Sequence, residues 1–228
     1  MKHLGFAVGF TLVVCTAVHA QPAPGNTDLY HIHFTKAVPG QALQLGNELK
    51  KPDTTSSMPD HFIVLRHQEG DDWDYCVIQH LGPKATVDAA GTPPGAARTM
   101  RAWHTDTFAS GPSWAEVSKA FGIGDGASGT AASVYNVQVW REAAGQRDQL
   151  LKALAQAGSG AKVPVSQVIF QHVEGGPWTY VAVARYNSWQ DFGADQAATT
   201  TGDPAPWGEL RAHSTYHHDT LADRITQR

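Results

Sequence analysis

His67-Gln68-Glu69-Gly70-Asp71-Asp72-Trp73-Asp74-Tyr75 returns 105 positions later as His172-Val173-Glu174-Gly175-Gly176-Pro177-Trp178-Thr179-Tyr180. His, Glu, Gly, Trp and Tyr recur without a gap. His61 to His67 (HFIVLRH) and Ser166 to His172 (SQVIFQH) lead into the two copies, and Tyr75 to His80 and Tyr180 to Arg185 lead out. A glycine-bearing polar segment between two apolar runs reads as the turn of a β-hairpin. The chain therefore reads as one unit written twice.

The repeat extends in both directions. Leu29 to Thr35 (LYHIHFT) alternates, with Tyr30, Ile32 and Phe34 on one face and His31 and His33 on the other; this is a strand pattern. Val134 to Trp140 (VYNVQVW) echoes it, with Asn136 and Gln138 in place of the histidines. Gly40-Gln41 with Leu45 and Leu49, and Gly145-Gln146 with Leu150 and Leu154, give i, i+4 apolar stripes for helices that pack on a sheet. Pro59 and Pro164 precede the second strands. A second helix follows the third strand. Ser188 caps it and Asp191 sits in its first turn in one half; Pro83 opens it in the other, where Gly91-Thr92-Pro93-Pro94-Gly95 interrupts. A second duplicated motif closes each half, now offset by 113: Arg98, Trp103, His104, Asp106 and Thr107 match Arg211, Tyr216, His217, Asp219 and Thr220. Its Arg, Leu and Ala content and the i, i+4 pair His104 and Phe108 predict helix. Trp114 to Phe121 reads as a further short helix, and Gly122 to Ser133 (GIGDGASGTAAS) as a flexible linker.

Each half thus reads strand-helix-strand-strand-helix, an α+β unit. The order of elements over residues 28–228 resembles the dimeric α+β-barrel superfamily of ferredoxin-like proteins. That superfamily includes small antibiotic-biosynthesis-type monooxygenases, the EthD and NIPSNAP groups and chlorite-dismutase-like haem proteins. The resemblance implies two fused ferredoxin-like repeats, 28–121 and 134–228, joined by a linker at 122–133 and packed as a pseudo-symmetric barrel. It also implies a central cavity as the binding site, and a fourth strand closing each unit where this sequence reads as helix. A monomer suffices, because one chain supplies both halves of the barrel.

Residues 1–20 read as an export signal. Lys2 and His3 are basic, Leu4 to Val14 is apolar but too short to span a bilayer, and Val18-His19-Ala20 fits a cleavage site. The chain after Ala20 opens with a Pro/Gly/Asn leader, 21–27. Of two cysteines only Cys76 remains, so no intramolecular disulfide forms in an oxidising compartment. The expected location is periplasmic or secreted. The formal charge of −4, one unit more negative without Lys2, argues against nucleic acid as a partner. No later apolar run is long enough to cross a membrane.

The expected packing puts Tyr30, Ile32 and Phe34 under helices and turns His31, His33, Asn136 and Gln138 into the cavity. His80 and Arg185, at the ends of the third strands, join this pocket set. His31-x-His33 places two imidazoles on one strand face with Cα atoms about 7 Å apart. That suits a divalent metal with His80, His104 or an acid as third ligand; the plainer reading is a polar edge. His67, His172, Trp73 and Trp178 read as structural repeat pairs. So do Arg98 and Arg211, with Asp106 and Asp219. On a helix, His104 and Asp106 would point to different sides and form no dyad. His104 and His217 remain acid–base candidates. The sequence requires neither haem nor a divalent metal and admits both. Three readings follow: an exported protein that binds a small molecule in a central pocket, an enzyme using that pocket (a cofactor-independent monooxygenase or isomerase, or a haem- or metal-dependent oxidoreductase), or a structural or partner-binding module with a filled core.

Overall fold

The structure, a computed structural model, describes residues 25–52, 59–83, 96–123, 132–159 and 164–226. The expected export signal, the insert at 91–95, the helix expected after Pro83 and the linker residues 124–131 lie outside the described residues. The elements run β1 (Asp28–Ala37), α1 (Ala42–Leu49), β2 (Phe62–Glu69), β3 (Tyr75–Gly82), a 3-10 turn (Ala96–Met100), β4 (Arg101–Gly111) and α2 (Trp114–Ala120). They continue β5 (Val134–Glu142), α3 (Arg147–Ser159), β6 (Ser166–Gly175), β7 (Tyr180–Tyr186), α4 (Trp189–Thr201), α5 (Ala205–Ala212) and β8 (Ser214–Arg224). The eight strands form an antiparallel sheet that closes in the order β1-β3-β2-β8-β5-β7-β6-β4. Strands of one half meet strands of the other at β2–β8 and β4–β6.

The closing motifs are strands, not helices. β4 pairs with β1 from Asp28↔Gly111 to Ala37↔Arg101, and β8 pairs with β5 from Tyr135↔Ala222 to Glu142↔Ser214. Without them, β1 and β5 would each leave one row of backbone N–H and C=O groups unpaired. That non-local demand, helped by the β-branched Thr105, Thr107 and Thr220, overrides the local helix preference.

The strand faces are also the reverse of the expectation. Tyr30, Ile32 and Phe34 belong to a buried cluster with side chains from all eight strands, among them Ile63, Ile78, Tyr135, Val168, Val183 and Ala222. Only the inside of a closed sheet brings one face of every strand together. The interior is therefore filled by apolar side chains. The helices pack outside: Leu45 of α1 against Val64, Tyr75 and Val77, and Leu150 and Leu154 of α3 against Trp140 and Tyr180. Helix α2 closes one end of the barrel with Val117, followed by Phe121. Tyr135 Oη donates to Phe121 O (2.9 Å) and Ser166 Oγ to Ala120 O (2.6 Å). Trp73 and Trp178 close the other end, where a cavity of about 210 Å³ remains between them, Trp103 and Tyr216.

The two repeated motifs dock on each other across the halves. The first hairpin rests on β8, where the Asp71 N–H donates to Thr220 Oγ1 (3.2 Å). The second rests on β4, where the Gly176 N–H donates to Thr107 Oγ1 (2.9 Å). Gly70 and Gly175 have φ of 126° and 111°, a region that favours glycine. A Cβ on Gly70 would stand 2.5 Å from Asp219 O and 2.8 Å from Thr220 Cα; on Gly175 it would collide with Asp106 O. Gly70→Val and Gly175→Val therefore meet both backbone strain and a clash with a neighbouring strand. Each is expected to cost about 2–4 kcal/mol, read as a lowered urea midpoint. An unchanged midpoint for either variant would refute the close approach.

Candidate metal site on the outer sheet face

Because Tyr30, Ile32 and Phe34 point inward, His31 and His33 point outward. Strand β4 runs beside β1 with Asp106 opposite His33, His104 opposite Thr35 and Phe108 opposite His31. Residues two apart on a strand share a face, so the His104–Asp106 dyad that a helix forbids is present here. His31 Nε2 donates to Asp106 Oδ1 (2.9 Å), and His104 Nε2 stands 3.0 Å from Asp106 Oδ2. The His31 and His33 rings meet edge to face at 5.2 Å.

His33 is 8% exposed, and neither ring nitrogen has a hydrogen-bond partner. Burial, then the neighbouring charges of His31 and Arg101, push its pKa down to about 3. The Asp106 carboxyl is held down at about 2, chiefly by the hydrogen bond from His31. At neutral pH this leaves a neutral imidazole and an ionised carboxylate, the forms that bind metal. One ligand atom from each of His31, His33 and Asp106 lies within 4.8 Å of the others. Two ligands on one ion at about 2.1 Å stand roughly 3–3.5 Å apart, so side-chain rotation of about an ångström would close the set.

The second half holds a different arrangement. Gln138 faces Asp219 where His33 faces Asp106. His217 Nε2 donates to Asp219 Oδ1 (2.8 Å), its Nδ1 accepts from Arg211 Nη2 (3.1 Å), and Trp140 stacks on its ring at 3.8 Å. Both nitrogens of His217 are thus engaged within the protein. Asn136 is buried on the same outer face as Gln138. Among the described residues, no second group of metal-ligating side chains matches that of β1 and β4.

The other expected site residues separate. His31, His33, Asn136 and Gln138 do not line a central cavity, because the interior belongs to the apolar faces. His80 is no third ligand: it points inward at the α2 end, where its Nε2 donates to Asp28 Oδ2 (2.8 Å). Alternation places Arg185 inward at the corresponding end of β7, with its buried Nε unpartnered among the described residues. His67 and His172 pack edge-on against Trp73 and Trp178, at 5.6 and 5.8 Å. Arg98 lies in the 3-10 turn, and its side chain is outside the described set. Sequence reasoning left the third ligand as His80, His104 or an unnamed acid, and gave Asp106 itself a structural role on a segment read as helix. The period-two pattern of Thr105, Thr107 and Ala109 against His104, Asp106 and Phe108 is the signal that marks the strand.

No protein-family model matches the sequence, and no curated protein is similar enough to count as a relative. Solved structures share the fold. An anthrone oxidase-like protein superposes with a TM-score of 0.60 at 14% identity, over 89% of this chain and 93% of its own. A putative monooxygenase from Lactobacillus acidophilus gives 0.55 at 10% identity, over 88% and 95%. A haem-binding protein from Thermus thermophilus gives 0.41 at 12% identity, over 91% and 96%, too distant to carry an argument. The chain is thus a mixed α+β protein of the α+β-barrel type. Among the described residues no helix is long and apolar enough to cross a membrane.

The depressed pKa of His33 has a definite sign. Above about pH 6.5 both folded and unfolded chains carry it neutral. Below that, the unfolded chain takes a proton that the folded chain refuses, so stability declines as pH falls toward about 3. Asp106 remains ionised at pH 5 in both states. His33→Gln installs the residue of position 138 and removes the loss. Between pH 7 and pH 5, in chelator, the native sequence should lose about 2 kcal/mol more than His33→Gln by urea unfolding; equal losses would refute a buried neutral His33.

Proposed function

We propose that this chain is an exported metal-dependent oxidoreductase, built as two fused ferredoxin-like repeats, that holds one divalent transition-metal ion through His31, His33 and Asp106. The reading rests on one observation: a buried imidazole without any hydrogen-bond partner stands beside a second imidazole and a carboxylate in a compact set. Leaving both nitrogens of a buried histidine unpaired is costly, and a metal ion would satisfy one of them. Two imidazoles and one carboxylate leave coordination positions open. That donor set serves non-haem iron(II) in oxygen chemistry and zinc in hydrolysis. The oxidase and monooxygenase descriptions of the structural neighbours favour the redox use. His104, whose Nε2 stands 3.0 Å from the far oxygen of Asp106, would orient the carboxylate from behind. A small-molecule substrate would approach from the outer face of the sheet, since the interior is filled.

That filled interior also favours a second reading, a structural or partner-binding module without a metal. Metal analysis of protein from its native host, with calorimetric titration of the chain from Gln21 by iron(II), zinc and copper(II), separates the two. One ion per chain is expected, and His31→Asn/His33→Gln should abolish it. Equal binding by both proteins, or none by either, would remove the metal reading and leave the module.

A further inference from the structure

A second constellation lies on the other side of β1, at the barrel end closed by α2. Asp28 Oδ2 accepts from His80 Nε2 (2.8 Å) and from the Trp114 backbone N–H (3.0 Å). His80 Nδ1 and His61 Nδ1 stand 3.2 Å apart. The two imidazoles are 5.4 Å apart between centroids with planes 19° apart, an edge-to-edge hydrogen-bonded pair. The Trp114 indole lies parallel to both, 5° from His61 and 16° from His80.

The order of donors follows from Asp28. The carboxylate needs a proton on His80 Nε2, which leaves His80 Nδ1 as an acceptor in the neutral ring. His61 Nδ1 must then donate, and His61 Nε2 keeps its lone pair. That nitrogen has no partner among the described residues. His61 itself is exposed and lines a cavity of about 520 Å³, with apolar walls from Pro52, Phe62, Trp114, Ile123 and Ile225 and with Lys50, Asp60 and Thr226 among its polar lining. A cavity of this size, lined by apolar side chains together with a few polar groups, has the usual form of a small-molecule site.

We propose that this cavity binds a small, largely apolar weak acid, and that His61 accepts its proton while His80 and Asp28 act as positioning residues. The ligand's O–H bond breaks, its proton bonds to His61 Nε2, and the electron pair stays on the ligand oxygen. The Nδ1 proton of His61 can then pass to His80 Nδ1, which puts the imidazolium against the Asp28 carboxylate. Lys50 and Asp60 both line the cavity; Lys50 supplies a cation for the ligand anion, and the Asp60 carboxylate supplies a counter-charge for the protonated form of His61. Nothing is oxidised, and no metal takes part. The site is independent of the His31/His33/Asp106 set, which lies on the opposite face of β1.

Para-nitrophenol, whose anion absorbs in the visible, tests the assignment, with para-nitroanisole as the partner probe that has the same body and no acidic proton. The chain from Gln21 should enrich the bound phenolate at neutral pH. His61→Gln should bind para-nitrophenol about tenfold more weakly and para-nitroanisole unchanged. Asp28→Asn should lower the phenolate fraction and again leave para-nitroanisole unchanged. His31→Asn/His33→Gln should behave as the native sequence does, which separates this site from the metal. Nitrogen-15 NMR should find the Nε2–H tautomer at His80 and the Nδ1–H tautomer at His61. Absence of phenolate enrichment, equal loss of both probes in His61→Gln, or the reverse tautomers would overturn the proposal.

Discussion

The hairpin of each half is held on the last strand of the other half, and the remainder of the fold depends on that exchange. Gly70 and Gly175 bring the hairpin backbones against Asp219–Thr220 and Asp106–Thr107. The threonine hydroxyls then accept the N–H groups of Asp71 and Gly176. Strand pairing of β2 with β8 and β4 with β6 continues from these points and joins the sheet into a ring. A side chain at either glycine, or a longer hydrophobic residue at either threonine, would push the halves apart at the seam. Each of the two repeated motifs is a docking surface for the other.

Once the sheet is closed, alternation leaves each strand one choice. Whichever face goes inside is packed against seven other strands, and its neighbours go outside. The large apolar set Tyr30, Ile32, Phe34, Tyr135 and Val137 takes the inside, since burying it gains far more than burying amides and imidazoles. His31 and His33 are outside as a consequence, and the strand beside them brings Asp106 and His104 to the same face. At the α2 end the same alternation turns Asp28 and His80 inward, next to His61. One strand thus carries polar groups toward two separate places without any break in its core-facing row.

The halves share a scaffold and differ in what they display. His33 opposite Asp106 becomes Gln138 opposite Asp219, and the dyad of the second half is tied to Arg211 and covered by Trp140. His80 becomes Arg185, and a helix follows β4 and plugs the barrel. The histidines and carboxylates of both candidate sites therefore sit in the first half, and the second half adds Ile225 to the wall of one of them. The second half completes the barrel, and its dyad shows that the His-x-Asp pair alone is compatible with a purely internal role.

The duplication, the hairpins, the first three strands of each half and helices α1 to α4 were legible in the sequence. Each depends on contacts within a few residues: apolar period, a capping Ser188, a glycine at a turn. The pairing of His31 with His33 was legible for the same reason, since period two needs only the strand. Tertiary structure decided that Arg101–Gly111 and Ser214–Arg224 are strands: local propensity favours helix, the period-two pattern of Thr105, Thr107 and Ala109 favours strand, and the partners that settle it lie 64 to 87 residues away. It alone decided which face of β1 looks inward, because an apolar face packs as well under a helix as inside a barrel until the ring closes. Asp106 beside His31, and Asp28 beside His80 and His61, follow from those two decisions, because each pairing joins residues far apart along the chain.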